Sequence, residues 1–309
     1  MLDRNVPRYT SYPTAPHFGP LGARTYRSWL GALAAEASLS LYLHVPFCAQ
    51  LCLYCGCNTK VTLRRAPIEA YAELDSTNAE ARRRAESGET GPLWIAARRQ
   101  SAGRGRRGRV WDTGEGNLAA TLLAVTDRTP GEAAQLSFVT ALAVGETVRA
   151  YVRPGLVAFK WPNDILLAEA KASGILIESG RRADEGLWLA IGVGMNLAAA
   201  PDLPDQATAA VSDHLREDMA PPSPEAAMAS LSANLVRFIA IWEAGGFEPI
   251  RRAWLEAAMT MGRTCTARLG ETVLRGTALD LGADGALLLR LESGEVRRIT
   301  AGDVIFEGY

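Results

Sequence analysis

Val157-Ala158-Phe159-Lys160-Trp161, Ser173-Gly174-Ile175-Leu176-Ile177-Glu178 and Leu187-Trp188-Leu189-Ala190-Ile191-Gly192-Val193 follow one another with no helical pattern between them. Each is a short apolar run, which reads as a strand. Three strands in succession break the alternation of strand and helix that a doubly wound sheet requires. The fold class is therefore α+β, a mixed sheet packed with helices. Outward from this block, strands are expected at 93–97 and 117–125, and helices at 78–87, 132–151, 224–242 and 249–258. Ser76 and Thr77 can cap the first helix, with Glu80 as the capping-box acid. From Met261 onward, short strands separated by glycine turns (Gly270, Gly276, Gly282, Gly285, Gly294, Gly302) predict a small all-β barrel. The expected division is 1–72, 73–260 and 261–309.

The chain has 309 residues, 48% hydrophobic and 22% charged, with net charge −1. That balance excludes a disordered chain, a collagen and a general polyanion binder. No apolar run approaches the ~18 residues of a membrane helix. The opening stretch, with Asp3, Arg4 and Arg8, lacks the apolar segment of a signal peptide. The expectation is a cytoplasmic protein without membrane contact. Of five cysteines, Cys48, Cys52, Cys55 and Cys57 fall within ten residues, a spacing for metal rather than for secreted disulfides. Cys265 stands alone and reads as a core residue. Of 33 basic residues only Lys60, Lys160 and Lys171 are lysine, so a lysine marks a place where a compact ammonium is wanted over a guanidinium fork.

The segment Gly103-Arg104-Gly105-Arg106-Arg107-Gly108-Arg109 gathers forked donors on a backbone that can approach a ligand closely. With Arg98 and Arg99 it holds six arginines and no acid in twelve residues, which predicts a self-repelling loop, mobile until an anion arrives. An anion clamp fits this composition, and so does a solvated basic loop or an RNA-binding Arg/Gly segment. A Walker-type ending is absent. Lys160-Trp161-Pro162-Asn163-Asp164 places a cation, a flat ring, a rigid turn and a polar pair together. Lys171 fits a point charge between the oxygens of a reacting carboxylate and a phosphate, or a strand-edge lysine guarding against aggregation. Asp164 fits acid-base work or a structural cap. Gly192, Gly194 and Asn196 fit a ligand wall or a tight turn.

Asp75-Ser76-Thr77-Asn78, Gln100 with the loop and Trp111, the 160–164 motif, Lys171 with Gly174, and the 192–196 stretch resemble, in order and spacing, the biotin protein ligases over residues 73–309. The resemblance implies an enzyme that joins biotin to ATP with Mg2+ as biotinyl-5'-adenylate, then transfers biotin to a lysine of the carboxyl carrier domain of acetyl-CoA carboxylase. It implies that Ser76, Thr77, Asn78 and Gln100 hold biotin, that Arg104, Gly105 and Arg106 close over it, and that Arg109, Trp111 and Asn196 serve ATP. Lys171 and Arg106 would be the catalytic pair. The family's fold ends in an SH3-like barrel, and its optional DNA-binding helix-turn-helix has no counterpart here, so no DNA partner is expected; a homodimer is left open. Lipoate ligases share the architecture, but the Gly-Arg loop favours biotin. Simple binding would have little use for Lys171.

The opening differs. Arg8-Tyr9-Thr10-Ser11-Tyr12-Pro13-Thr14 and the run from Leu41 through Cys48, Cys52, Cys55 and Cys57 resemble oxygen-independent coproporphyrinogen III oxidase, a radical SAM enzyme of heme synthesis. The resemblance implies a four-iron, four-sulfur (4Fe-4S) cluster on Cys48, Cys52 and Cys55. It stops near residues 71–74, before the barrel that such chemistry needs. The expected product is a truncated oxidase start fused to a ligase, poorly packed, with an adventitious cluster at best. Residues 66–72 stand where ligases carry an apolar leading strand, so that strand is expected to be compromised.

Overall fold

The computed structural model describes residues 66–307 apart from Asp184 and Asp205, together with Ser28, Phe47–Cys48 and Lys60–Val61. The chain divides into two units, Met1–Arg65 and Ala66–Tyr309. In the first, Phe47–Cys48 pairs in parallel with Lys60–Val61. The iron-sulfur set Cys48, Cys52 and Cys55 falls outside the described residues, apart from the backbone of Cys48. The sequence of this unit also has a helical pattern near 25–37 and a strand-like run at 39–45, and both lie outside the described residues apart from Ser28.

In the second unit the leading strand is formed. Strand β1 (Ile68–Leu74) runs parallel to β2 (Leu93–Gln100), in register from Ile68 opposite Trp94 to Leu74 opposite Gln100. Between them lies helix α1 (Thr77–Glu86), capped by Ser76, whose side chain accepts from the Ala79 amide. The rest of the sheet is antiparallel: β3 (Leu118–Thr126), β4 (Val157–Lys160), β5 (Asp164–Leu167), β6 (Ala170–Arg181) and β7 (Leu187–Met195), in the order β1-β2-β3-β7-β6-β5-β4. Sequence periodicity missed β5, whose four residues form a tight hairpin with β4.

Helices cover both faces. Leu93 and Ile95 pack with Ala81 of α1, whereas the indole of Trp94, pointing the other way, donates to Ser232 of α4 (Pro224–Gly245). All nine residues of β7 are buried, which explains its unbroken apolar run. The helix expected at 132–151 is two: α2 (Pro130–Ala134), with a Thr129/Glu132 capping box, and α3 (Leu136–Arg149). Helix α5 (Phe247–Glu256) follows α4 after Gly246, whose φ of 67° lets the chain reverse direction. No helix among the described residues is long and apolar enough to cross a membrane.

The C-terminal part is a five-stranded antiparallel sheet, β8 (Thr264–Leu269), β9 (Thr272–Leu281), β10 (Leu287–Leu291), β11 (Val296–Ile299) and β12 (Asp303–Phe306), ordered β11-β10-β9-β8-β12. The expected barrel is not closed, because the edge strands β11 and β12 do not pair with each other. Cys265 is buried, paired across β8 and β12 with Phe306, as expected for a small apolar residue. Burial pushes its thiol up to about 11, so it stays protonated near neutrality.

Candidate active site

One cavity of about 850 Å3 opens where the sheet, the 103–109 loop and the C-terminal sheet meet. Ser76, Thr77, Asn78, Gln100, Arg104, Gly105, Arg106, Arg109, Trp111, Lys171 and Asn196 all line it, so residues 120 positions apart in sequence converge there. Lys160, Asn163 and Asp164 join them, as do Arg268 and Asp303 from the C-terminal sheet.

At one end the polar groups are buried and satisfy each other. The Thr77 amide donates to Oε1 of Gln100 (2.8 Å), and Nε2 of Gln100 donates to Thr113 (3.0 Å). Asn78 donates to the Leu176 carbonyl (3.2 Å) and to Glu178 (2.8 Å), while its Oδ1 accepts from Thr121 (2.7 Å). The same Thr121 hydroxyl lies 2.8 Å from that of Thr77. Gly192 makes this possible: a Cβ there would sit 2.0 Å from Oδ1 of Asn78. Gly194 leaves room in the same way for the Trp111 ring, with a hypothetical Cβ 2.2 Å from it. Both glycines lie within β7 and line the cavity, so the tight-turn reading does not hold.

Lys171 reaches the pocket through a β-bulge. Along β5 and β6, Asp164 faces Gly174 and Ile165 faces Ser173, but Leu166 then faces Lys171, leaving Ala172 as the extra residue. Without that insertion Lys171 would project from the other face of the sheet; with it, Lys171 shares a face with Asp164. Its Nζ lies 2.9 Å from Oδ1 of Asp164, both side chains about 15% exposed, without an aligned hydrogen bond. The ammonium also stands 5.8 Å from the centre of the Trp111 ring. Across the hairpin Asp164 faces Lys160. Burial holds the Lys160 ammonium below the ordinary lysine value; Asp164 opposes this, and Lys171 and Arg109 add to it. Lys160 makes no hydrogen bond or ion pair among the described residues. Asn196 donates to the carbonyls of Ala209 (3.3 Å) and Lys171 (3.4 Å), supporting the bulge from behind. Trp161 is buried at the cavity lining, and its indole donates to the Gly285 carbonyl (3.0 Å), tying the pocket to the C-terminal part.

The loop is not the self-repelling strand of charge expected from its sequence, because acids from elsewhere meet it. Arg104 approaches Glu178 (3.6 Å), and Arg107 (2.8 Å) and Arg109 (3.0 Å) share Oδ2 of Asp303. Arg106 donates to Oδ1 of Asn163 (3.1 Å) and, at 3.5 Å, to the Gly302 carbonyl. Residues Arg106–Gly108 form one turn of 3-10 helix with Arg107 at φ 55°, a left-handed position that sequence does not announce. Arg99 pairs with Glu73 at the surface and stays outside the cluster. Sequence reading passed over Thr121, Thr113 and Asp303. Glu178, the lone acid of an apolar strand, carried a signal; Asp303 carried none.

The family described as "Biotin/lipoate A/B protein ligase family" matches residues 72–196, and the one described as "Biotin protein ligase C terminal domain" matches residues 260–307. The chain is similar to a biotin--[acetyl-CoA-carboxylase] ligase of Paracoccus denitrificans, 41% identical over 241 residues, covering 77% of this chain and 99% of that protein. Over 74 residues it is also 53% identical to an oxygen-independent coproporphyrinogen III oxidase of the same species, covering 24% of this chain but only 16% of that protein. Among solved structures, a biotin protein ligase from Aquifex aeolicus, in complex with biotin and ATP, has the same fold (TM-score 0.62, 23% identity, 78% of this chain and 98% of that one). A biotin protein ligase from Leishmania major, in complex with biotinyl-5-AMP, is 26% identical (TM-score 0.54, 76% of this chain and 99% of that one).

Proposed function

The chain belongs to the biotin protein ligase family, and on that premise we propose that it forms biotinyl-5'-AMP from biotin and ATP and then biotinylates one lysine of a biotin carboxyl carrier domain. The observation that carries this reading is the convergence of the Gly-Arg loop, Lys160 and Lys171 on one cavity that also holds the prebuilt hydrogen-bonding wall of Thr77, Asn78 and Gln100. An uncharged ureido head suits that wall, and anionic groups suit the cationic end.

In the first step a carboxylate oxygen of biotin attacks the α-phosphorus of ATP, and the bond to the bridging oxygen of the departing pyrophosphate breaks. Lys171 lies where the two reacting groups bring negative charge together, and its ammonium offsets that charge. Arg109 and Lys160 face the phosphates, Trp111 the adenylate, and Asn196 acts through the Lys171 backbone. Arg104, Gly105 and Arg106 cover the mixed anhydride and keep water from it. In the second step the ε-amine of the carrier lysine attacks the anhydride carbonyl, loses a proton, and AMP leaves. Ser76, Thr77, Asn78 and Gln100 hold the ureido end throughout. Mg2+ supplies charge that neutralises the triphosphate. Among the described residues no three potential ligands gather, so the ion would be held mainly by phosphates and water. Asp164, whose Oδ1 lies 2.9 Å from the Lys171 ammonium, would orient that ammonium toward the reacting groups.

The catalytic domain expected over 73–260, extended back to Ile68 by β1, and the C-terminal domain of 261–309 would together make a cytoplasmic enzyme. The matched oxidase segment is too short a part of its relative to carry that chemistry, and any cluster on Cys48, Cys52 and Cys55 would be adventitious. A stoichiometric cluster that cleaves S-adenosylmethionine after anaerobic reconstitution would overturn this last point. The ligase reading is tested by transfer of labelled biotin to a carrier domain with ATP. Lys171→Ala is expected to lose adenylate formation and Arg106→Gly to release adenylate prematurely; equal activity in all three proteins would remove the assignment.

A further inference from the structure

The first strand of the ligase sheet crosses a sequence join. The ligase family match begins at residue 72, yet β1 begins at Ile68, and the second unit begins at Ala66. Residues 66–71 are thus folded into the ligase although they lie outside its matched stretch. The fit is specific. The Trp94 amide donates to the Pro67 carbonyl (2.9 Å), and Tyr71 and Leu74 pack on the cluster around Ile95 and Trp188.

Beyond backbone pairing, the join has a side-chain clasp. Nη2 of Arg84, on α1, donates to Oε2 of Glu69 (2.7 Å) and to the Tyr71 hydroxyl (2.8 Å), and the same hydroxyl donates to Glu69 (2.7 Å). The Arg84 guanidinium also binds Glu80 (2.9 Å), in the first turn of α1, and Glu89 beyond its end (3.2 Å). One guanidinium therefore ties the helix at both ends to the strand before it. Two residues after that strand come Ser76, Thr77 and Asn78, each 4% exposed and lining the cavity. The Leu74 and Asp75 carbonyls accept from Ser101 and Ala102 (2.9 and 2.8 Å), so strand and helix enter the pocket as one piece. β1 is an edge strand paired only with β2, and α1 itself packs on β2, β3 and β7, so the clasp is a direct side-chain link between α1 and the strand that leads into it.

We infer that the Glu69–Tyr71–Arg84 clasp is a positioning device for the ureido end of the pocket, so that residues 66–71 are a working part of the ligase and not the tail of an appended fragment. The kinetic part rests on the ligase reading. An ordinary surface ion pair would contribute little; a clasp that sets the helix carrying Ser76, Thr77 and Asn78 must show in substrate affinity.

The test uses the full chain with Glu69→Gln/Tyr71→Phe, which removes the strand's share and leaves the Glu80 and Glu89 pairs of Arg84 in place. KM for biotin is expected to rise about fivefold, with kcat and KM for ATP within about twofold of the parent. Arg84→Met should move the same quantity further. Independently of any activity, hydrogen exchange at amides 76–81 should quicken in the double variant while β7 is unaffected. Unchanged exchange and unchanged KM for biotin would overturn the inference. So would a lower Tm with kcat and both KM values shifting together, the mark of a merely structural role. A parent that forms no adenylate would count against the ligase reading alone, and the exchange result would still decide the clasp.

Discussion

The two ends of the cavity are built on opposite principles. At the Asn78 end, the uncharged side chains of Thr77, Asn78 and Thr121 are buried and held by hydrogen bonds: Thr121 to Asn78, the Thr77 amide to Gln100, and Asn78 to the Glu178 carboxylate, the one charged member. Leaving such a group unsatisfied costs about 1–3 kcal/mol. At the loop end, charges are paired in reach of water, with the side chains of Arg104, Arg107 and Arg109 44%, 42% and 65% exposed. Exchanging one such pair for another costs about 0–1 kcal/mol. The wall can therefore be prebuilt while the loop can trade carboxylates for phosphates. On the proposed ligase reading, selectivity would belong to the first end and closure to the second.

Substitutions that damage one end only would sharpen this contrast. The largest effect is expected for Gly192→Ala, whose Cβ would press on Asn78. An overpacking cost of about 1–3 kcal/mol predicts roughly 5- to 150-fold weaker biotin binding by calorimetry, with ATP binding nearly unchanged. Unaltered biotin affinity would mean that Asn78 does not shape the site. Next, Thr121→Val keeps the shape and removes the donor to Asn78, and is expected to lower unfolding stability by about 1–3 kcal/mol in a denaturant titration. A neutral result would show the wall to be slack.

Asp303→Asn acts at the other end by releasing Arg107 and Arg109. Stability should change by less than about 1 kcal/mol. KM for ATP should fall about two- to threefold, more so at low salt where exposed charges are least screened. A rise in KM would contradict the exchange of carboxylate for phosphate.

The smallest effect concerns pH. Arg83 holds the Asp75 carboxyl down at about 2 against its usual 3.8, helped by the Ser76 amide. Because the folded value is the lower one, this pair supports the native state fully above pH ~4, and that support is lost as pH falls through about 2. Since Asp75 is nearly half exposed, solvent screening keeps the contribution small. Acid unfolding of Asp75→Asn should begin at nearly the parent pH but with a shallower slope; identical curves would remove the pair from the account.

Much of this was legible in the sequence. Ser76 before a helical stretch announces the start of α1, apolar runs announce β2, β3, β6 and β7, and the Gly-Arg loop announces the arginines that line the cavity. What was hidden depends on partners distant in sequence. The bulge at Ala172 that turns Lys171 into the cavity comes from pairing with β5, and nothing local signals it. Asp303 meets the loop from 194 or more residues away, so charge counting within the loop predicts repulsion where the fold supplies neutralisation. β1 was obscured because residues 66–72 follow another family's pattern, although their alternation is adequate for an edge strand. Helix α2 separates from α3 at Gln135, whose amide oxygen accepts from the Trp242 indole (2.8 Å), a contact no periodicity contains.

The most direct measurement is biotin-dependent exchange of labelled pyrophosphate into ATP, which reports adenylate formation without any carrier. With Lys171→Ala the exchange rate should fall by about 100-fold or more while biotin affinity stays within about threefold of the parent, because one ammonium leaves the cationic end and the neutral wall is untouched. Exchange at the parent rate in Lys171→Ala would contradict the convergence of loop and lysine on the reacting carboxylate and phosphate.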